Sequence, residues 1–367
     1  MTSSPSEISG RIEPRANPHL IGQDDAVARL EAFRGSGRLP HALLLSGPRG
    51  VGKATLAFRL ARTLLAEGAA PSPGLFGEAT PASDVVPDSV FRRVASGGHP
   101  DLLTLERGFD EKRGKLREEI VVEDVRGVGS FLRLTPAEGG WRIVVVDAAD
   151  DLNRSAANAL LKVLEEPPRQ SLLLLVAHAP GRLLPTIRSR CQMLALRSLD
   201  DREVLDLLQR YRPDIGREEQ EIHVKLAEGS IGRALDLAEA GGATLYRELV
   251  ELLAALPNLD IAAVHELGDR LAKADAAADF HTVTDLLGWW LGRMIREAAR
   301  GTLPVEIVAG ERAAMQRLLQ RAELDQWQAL WEKITLLFAR ADGLALDRKQ
   351  VVLTAILDFA ATARRQS

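Results

Sequence analysis

The stretch "HALLLSGPRGVGKATLAFRLARTLL", His41 to Leu65, constrains the fold more than any other part of the chain. It runs from a short continuous apolar segment, the mark of a strand covered on both faces, through a glycine-rich turn into apolar residues at helical spacing. A strand followed by a crossover helix returns the chain for a parallel neighbour. Three more apolar runs follow, "DLLTLE" from Asp101, "WRIVVVDAAD" from Trp141 and "SLLLLVAHA" from Ser171, with helical patterns such as "SAANALLKVLEE" between them, and "QMLALRSLD" reads as a last strand. The alternation predicts an α/β fold with a parallel sheet.

Beyond that strand the pattern is helical alone through Gln366. Trp327, Leu330, Trp331, Ile334 and Phe338 share one helical face, as do Ile261, Val264, Leu267 and Leu271. Ahead of the first strand, "DDAVARLEAFRGSG" predicts a helix stopped by glycine, and residues 1–19 read as a loose polar leader. The Pro-, Gly-, Ala- and Ser-rich residues 68–89 predict an irregular surface insertion.

A chain of 367 residues suggests two or three domains. With 47 Lys and Arg against 51 Asp and Glu, two Tyr, five Trp and nine Phe, it has neither a global basic field nor much base-stacking surface, so any DNA contact is local or shared with partners. The single cysteine, Cys191, excludes internal disulfides and a Cys-based zinc site. The first residues lack a signal-peptide core and no apolar run approaches the roughly 18 residues of a membrane span, which predicts a cytoplasmic protein.

The turn "SGPRGVGKAT" fits the phosphate-loop pattern G-x-x-x-x-G-K-[ST] except at its end. Gly47, Gly50 and Gly52 permit the turn and a close approach of phosphate oxygens, and Lys53 supplies a cation at the head of a helix. Ala54 stands where a hydroxyl should hold magnesium, and Thr55, one residue on, is turned about 100° away. A second acidic strand end has the same gap. Asp147 closes "WRIVVVD" where a metal-orienting carboxylate would sit, but position 148, which hydrolysis would need as a base, is alanine. Asp150 reads as a helix cap, and Asp147 as a cap or the remnant of a metal site. The two losses predict a site that holds ATP or ADP weakly or structurally and does not hydrolyse it.

Glu165 and Glu166 point about 100° apart and are a helix end halted by Pro167 and Pro168, not a facing acid and base; Leu160, Leu161 and Leu164 are packing residues. Taken alone, "RSRC" is a basic helix end, and Cys191 a small buried residue without triad partners.

Together, "NALLKVLEEPP" from Asn158, "LLPTIRSRC" ending at Cys191 and "GSIGRAL" from Gly229 resemble the AAA+ clamp-loader subunits of bacterial replicative polymerase. The resemblance spans roughly residues 18–240. It implies a RecA-like AAA+ P-loop module over residues 20–195, a small helical lid over 196–243, and an all-α collar for oligomerisation over 244–367. The intact phosphate loop and acidic pair of the motor subunits, called τ or γ, are missing here. The family's sensor positions fall on Ala177 or His178 and on Gly232, with Arg233 one residue out of phase.

The resemblance further implies that Arg190 is an arginine finger acting in trans on a neighbour's ATP site, a role worth roughly 10³ to 10⁵ in rate in related phosphoryl-transfer systems. It implies τ/γ and δ subunits as partners in a hetero-pentamer, and through that complex a sliding clamp and primer-template DNA. The four-cysteine zinc module found in many members has no counterpart, so zinc is not expected. Two rival functions remain at this point: an autonomous AAA+ ATPase that recruits Thr55 and Asp150, and a P-loop phosphotransferase, for which no acceptor pocket or base is evident.

Overall fold

The computed structural model describes residues 13–69, 86–110 and 115–364. Most of the predicted insertion and of the leader lies outside these residues. The chain divides into two compact units, residues 1–213 with 228–233, and residues 214–227 with 234–367.

The first unit is built on a five-stranded, all-parallel sheet. Its strands are β1 (Ala42–Ser46), β2 (Leu102–Leu105), β5 (Arg142–Asp147), β6 (Ser171–Ala177) and β7 (Gln192–Ala195), in the order β2-β5-β6-β1-β7. A two-stranded hairpin, β3 (Phe109–Asp110) and β4 (Lys115–Leu116), lies apart from it. Successive residues of each central strand enter opposite cores. Leu43, Leu45, Ile143, Val145, Leu172 and Leu174 meet α1 (Asp24–Gly35), α2 (Lys53–Ala69) and α3 (Asp88–Ala95). Ala42, Leu44, Val144, Val146, Leu173 and Leu175 meet α4 (Val122–Arg133), α5 (Arg154–Glu165) and α6 (Pro185–Arg188). Burial on both faces is why these strands read as unbroken apolar runs.

Residues 13–19, inside the segment expected to be loose, are tied down. The buried Arg62 of α2 donates to the carbonyls of Arg15 at 2.8 Å and Asn17 at 2.9 Å, and the Asn17 side chain accepts from the Tyr211 hydroxyl at 3.0 Å. Tyr211 closes α7 (Asp201–Tyr211), whose start is secured by a capping box between Asp200 and Glu203.

The second unit is helical. It comprises α8 (Arg217–Ala227), most of α9 (Ile231–Glu239), α10 (Gly242–Ala254), α11 (Ile261–Leu271), α12 (Ala277–Ala299), α13 (Glu311–Leu319), α14 (Leu324–Leu344) and α15 (Arg348–Arg364). Trp290, Trp327, Tyr246 and Phe359 are the largest side chains of its single core, with the Phe359 ring 6.3 Å from Trp327 and 6.5 Å from Trp290. Trp327, Leu330 and Ile334 are buried as expected, while Trp331 is partly exposed and its indole N–H donates to the Gly288 carbonyl at 3.1 Å. Ile261, the first residue of its helix, is exposed. No described helix is long and apolar enough to cross a membrane.

Candidate nucleotide site and arginine finger

The sheet register brings the predicted groups to one edge. Ser46 pairs with Ala177 and Asp147 with Val176, so the carboxyl ends of β1, β5 and β6 lie side by side. The phosphate loop, Asp147 and His178 leave from those ends, the position where ligands of open parallel sheets bind. β6 separates the strand that carries the loop from the strand that carries the acid.

The loop glycines are required by their backbones. Gly47, Gly50 and Gly52 have φ of +147°, +76° and +99°, a region that favours residues without a Cβ. Gly50 is also crowded by the first turn of α9 and the residue before it. Its carbonyl accepts from Gly232 N at 3.0 Å, and a Cβ placed on it would lie 2.3 Å from Ser230 Oγ. Gln23, 4% exposed, braces the other side of the loop, its amide donating to the carbonyls of Val51 at 3.1 Å and Arg197 at 2.9 Å.

Lys53 is folded back onto its own loop. Its ammonium donates to the Gly47 carbonyl at 2.7 Å and to the Pro48 carbonyl, and the residue is 3% exposed. Burial pushes its pKa down to about 8, against the opposing pull of Asp147 and Asp150. Burial likewise pushes Asp147 up to about 6, assisted by the charge of Glu106 and opposed by Lys53. His178 is also held low, by burial first and by the Lys53 charge second, so its ring is neutral at pH 7.

Ala54 is half-buried and Thr55 is buried, as their difference in helical phase requires. The loop can therefore offer backbone N–H groups to phosphate, but it lacks the hydroxyl that would take a metal ion beside Asp147. Among the described residues no three His, Cys, Asp or Glu side chains converge on a metal position.

Asp150 does not cap the helix. Its carboxylate accepts from His178 N at 3.0 Å and Ala179 N at 3.0 Å, fastening the end of β6, and Asn153 caps α5 by accepting from Ala156 N at 2.9 Å. A short 3-10 turn at Ala149–Asp151 delays the start of α5 to Arg154 and puts Asp150 out of reach. The sequence signal for Asn153 was present in "DLNRSAAN" as a cap residue just before the apolar-periodic run.

Arg190 follows α6 at the far end of the same core, its side chain 36% exposed. Its Nη2 lies 2.8 Å from Glu165 Oε1, and its Nη1 donates to the Thr186 carbonyl at 3.1 Å. Cys191 is half-buried, and burial pushes its thiol up to about 12, so it is not a nucleophile at neutral pH. The structure gathers Gly47, Gly50, Gly52, Lys53 and Asp147 at one place; Arg190 belongs to another, at the opposite end of α5.

The strand order, the phosphate loop at the edge of the sheet and the acidic strand end define a P-loop module of the AAA+ kind. The family model described as DNA polymerase III, delta subunit, matches residues 22–200. The DNA polymerase III subunit δ′ of Pseudomonas aeruginosa is 37% identical over 223 residues, covering 61% of this chain and 63% of that protein. Subunit τ of Escherichia coli is 32% identical over 236 residues, covering 63% of this chain and 34% of that one. The chain thus spans less than two thirds of the length of these relatives. A γ-subunit-related protein of Thermotoga maritima superposes with a TM-score of 0.44 at 19% identity, covering 91% of this chain and 99% of that one. Over the matched region the chain is similar to the clamp-loader subunits of DNA polymerase III, proteins of the AAA+ kind.

Proposed function

We propose that this chain is a δ′-type clamp-loader subunit, a stator that does not hydrolyse ATP and that supplies Arg190 to the ATP site of a neighbouring subunit. In this reading it assembles with τ/γ and δ subunits into a hetero-pentamer through residues 244–367. Residues 20–195 and 196–243 act as P-loop module and lid. The complex opens a sliding clamp and places it on primer-template DNA during replication.

The observation that carries the reading is the contrast between two sites on one chain. The chain's own loop has alanine at 54 and at 148, and its Lys53 ammonium is engaged by the Gly47 and Pro48 carbonyls. Arg190, by contrast, is partly exposed. A guanidinium at that position can stabilise charge developing on a γ phosphate without any magnesium ligand of its own. ATP or ADP bound at Lys53 would be a structural nucleotide and not a substrate. The rival reading of an autonomous ATPase needs Thr55 and Asp150 as replacements. Thr55 is buried, and both oxygens of Asp150 are taken up by backbone N–H groups.

Phosphate release by the purified chain tests the first half of the reading, with a fluorescent ATP analogue measured alongside, with and without Mg²⁺. No release is expected; release abolished by Lys53→Ala would make the chain a motor. The second half is tested in the reconstituted complex, where Arg190→Ala lowers DNA-stimulated ATPase while the subunit stays folded and assembled.

A further inference from the structure

Arg190 carries a long side chain at the surface, yet it is gripped on two edges of its guanidinium. Thr186, which accepts from Nη1, lies in α6, one turn before the arginine; Glu165, which meets Nη2 at 2.8 Å, is the last residue of α5. Both anchors are fixed by the core beneath them. Leu160 and Leu164 of α5 and Ile187 of α6 are all buried in the same apolar cluster, and Pro167 and Pro168 prevent α5 from continuing past its end.

An ion pair this exposed contributes little to folding. What it does is remove rotamer freedom from Arg190, holding the guanidinium in one place while its remaining N–H donors stay available. A charge delivered to a reacting phosphate is effective in proportion to how well it is placed beforehand, and a displacement of about 1 Å can cost on the order of 100-fold.

We propose that Glu165 is a positioning residue for the reaction at the neighbouring subunit: it holds Arg190 in the orientation presented to that subunit's nucleoside triphosphate. The proposal rests on the reading of Arg190 given above. It assigns to the first glutamate of "LEEPP" a part that its place at a helix end did not reveal, because the partner lies 25 residues further along the chain. The required property of Glu165 is an acceptor oxygen at that point, more than its charge.

The test uses the full reconstituted complex with Glu165→Ala, Glu165→Gln, Arg190→Ala and the double variant Glu165→Ala/Arg190→Ala, reading DNA-stimulated phosphate release. Glu165→Ala is expected to lower kcat by about tenfold with KM for ATP unchanged. Glu165→Gln, which keeps an acceptor oxygen, retains most of the activity. The double variant matches Arg190→Ala alone, the non-additivity of two groups acting as one. Thermal midpoints of the single variants stay at the wild-type value.

The proposal is overturned if Arg190→Ala is impaired while Glu165→Ala is within about twofold of wild type, or if Glu165→Ala raises turnover, the behaviour of a latch. A double variant slower than Arg190→Ala alone would also overturn it, by giving Glu165 an effect that does not pass through the arginine. If Arg190→Ala itself leaves phosphate release unchanged, the arginine reading falls and the role of Glu165 falls with it.

Discussion

Gly50 shows how two constraints meet on one residue of the phosphate loop. Its φ of +76° costs an L-residue about 1–2 kcal/mol, and a Cβ would strike Ser230 Oγ at 2.3 Å. That same hydroxyl accepts from Arg233 N at 3.1 Å at the start of α9, so moving it aside uncaps the helix. Gly50→Ala should therefore destabilise the protein by about 2–4 kcal/mol, and adding Ser230→Ala should recover part of the loss in urea melts; full stability of Gly50→Ala alone would contradict the close approach. Asp147 gives a prediction of opposite sign. Its pKa in the folded protein is about 6, above the ordinary 3.8, so the folded state holds its proton more tightly than the unfolded one, and stability falls as pH rises from about 4 to 6. Asp147→Asn should be more stable than wild type by up to about 3 kcal/mol at pH 7, with the advantage shrinking to nothing below about pH 4 in parallel denaturation curves. The degenerate positions, Ala54 and Ala148, were legible because a spacing motif says what should stand there. Lys53 turning onto its own loop and Ser230 closing on Gly50 were not, because both depend on the approach of chain segments that no local pattern encodes.

At the scale of elements, the second unit contains a buried ionic junction among three helices. Glu311, the first residue of α13 and 1% exposed, accepts from Arg293 of α12 at 2.8 Å, from Ile307 N at 2.7 Å and from the Tyr246 hydroxyl of α10. Burial, and the Glu311 charge after it, drives the Tyr246 pKa upward, so the phenol remains a donor. Glu311→Ala would leave Arg293 poorly compensated and should cost about 3–5 kcal/mol, seen as a lowered thermal midpoint; Glu311→Gln, still an acceptor, should cost less. A loss below about 1 kcal/mol for the alanine variant would mean the junction is dispensable. The strands of the sheet and most helices could be read from apolar runs and periodicity because their side chains answer to the core on one or two faces. The β3–β4 hairpin could not, since Phe109 and Leu116 are exposed and no apolar pattern marks them. Asp150 was misread for a related reason: a short turn displaced the helix start to Asn153, and its partner N–H groups come from the end of another strand.

For the whole molecule, two places on one chain matter: a phosphate-loop turn with alanine at position 54, and Arg190 paired with Glu165 at the other end of α5. In the clamp-loader reading the chain is a part that completes a neighbour's site and has no cycle of its own. The most direct measurement is DNA-stimulated phosphate release by the reconstituted complex carrying either Lys53→Ala or Arg190→Ala. The account predicts that Lys53→Ala leaves release close to wild type while Arg190→Ala lowers it severalfold or more, as loss of an arginine finger at one of the ATP sites requires. The reverse pattern, release lost with Lys53→Ala and kept with Arg190→Ala, would contradict it and make this chain an ATPase in its own right.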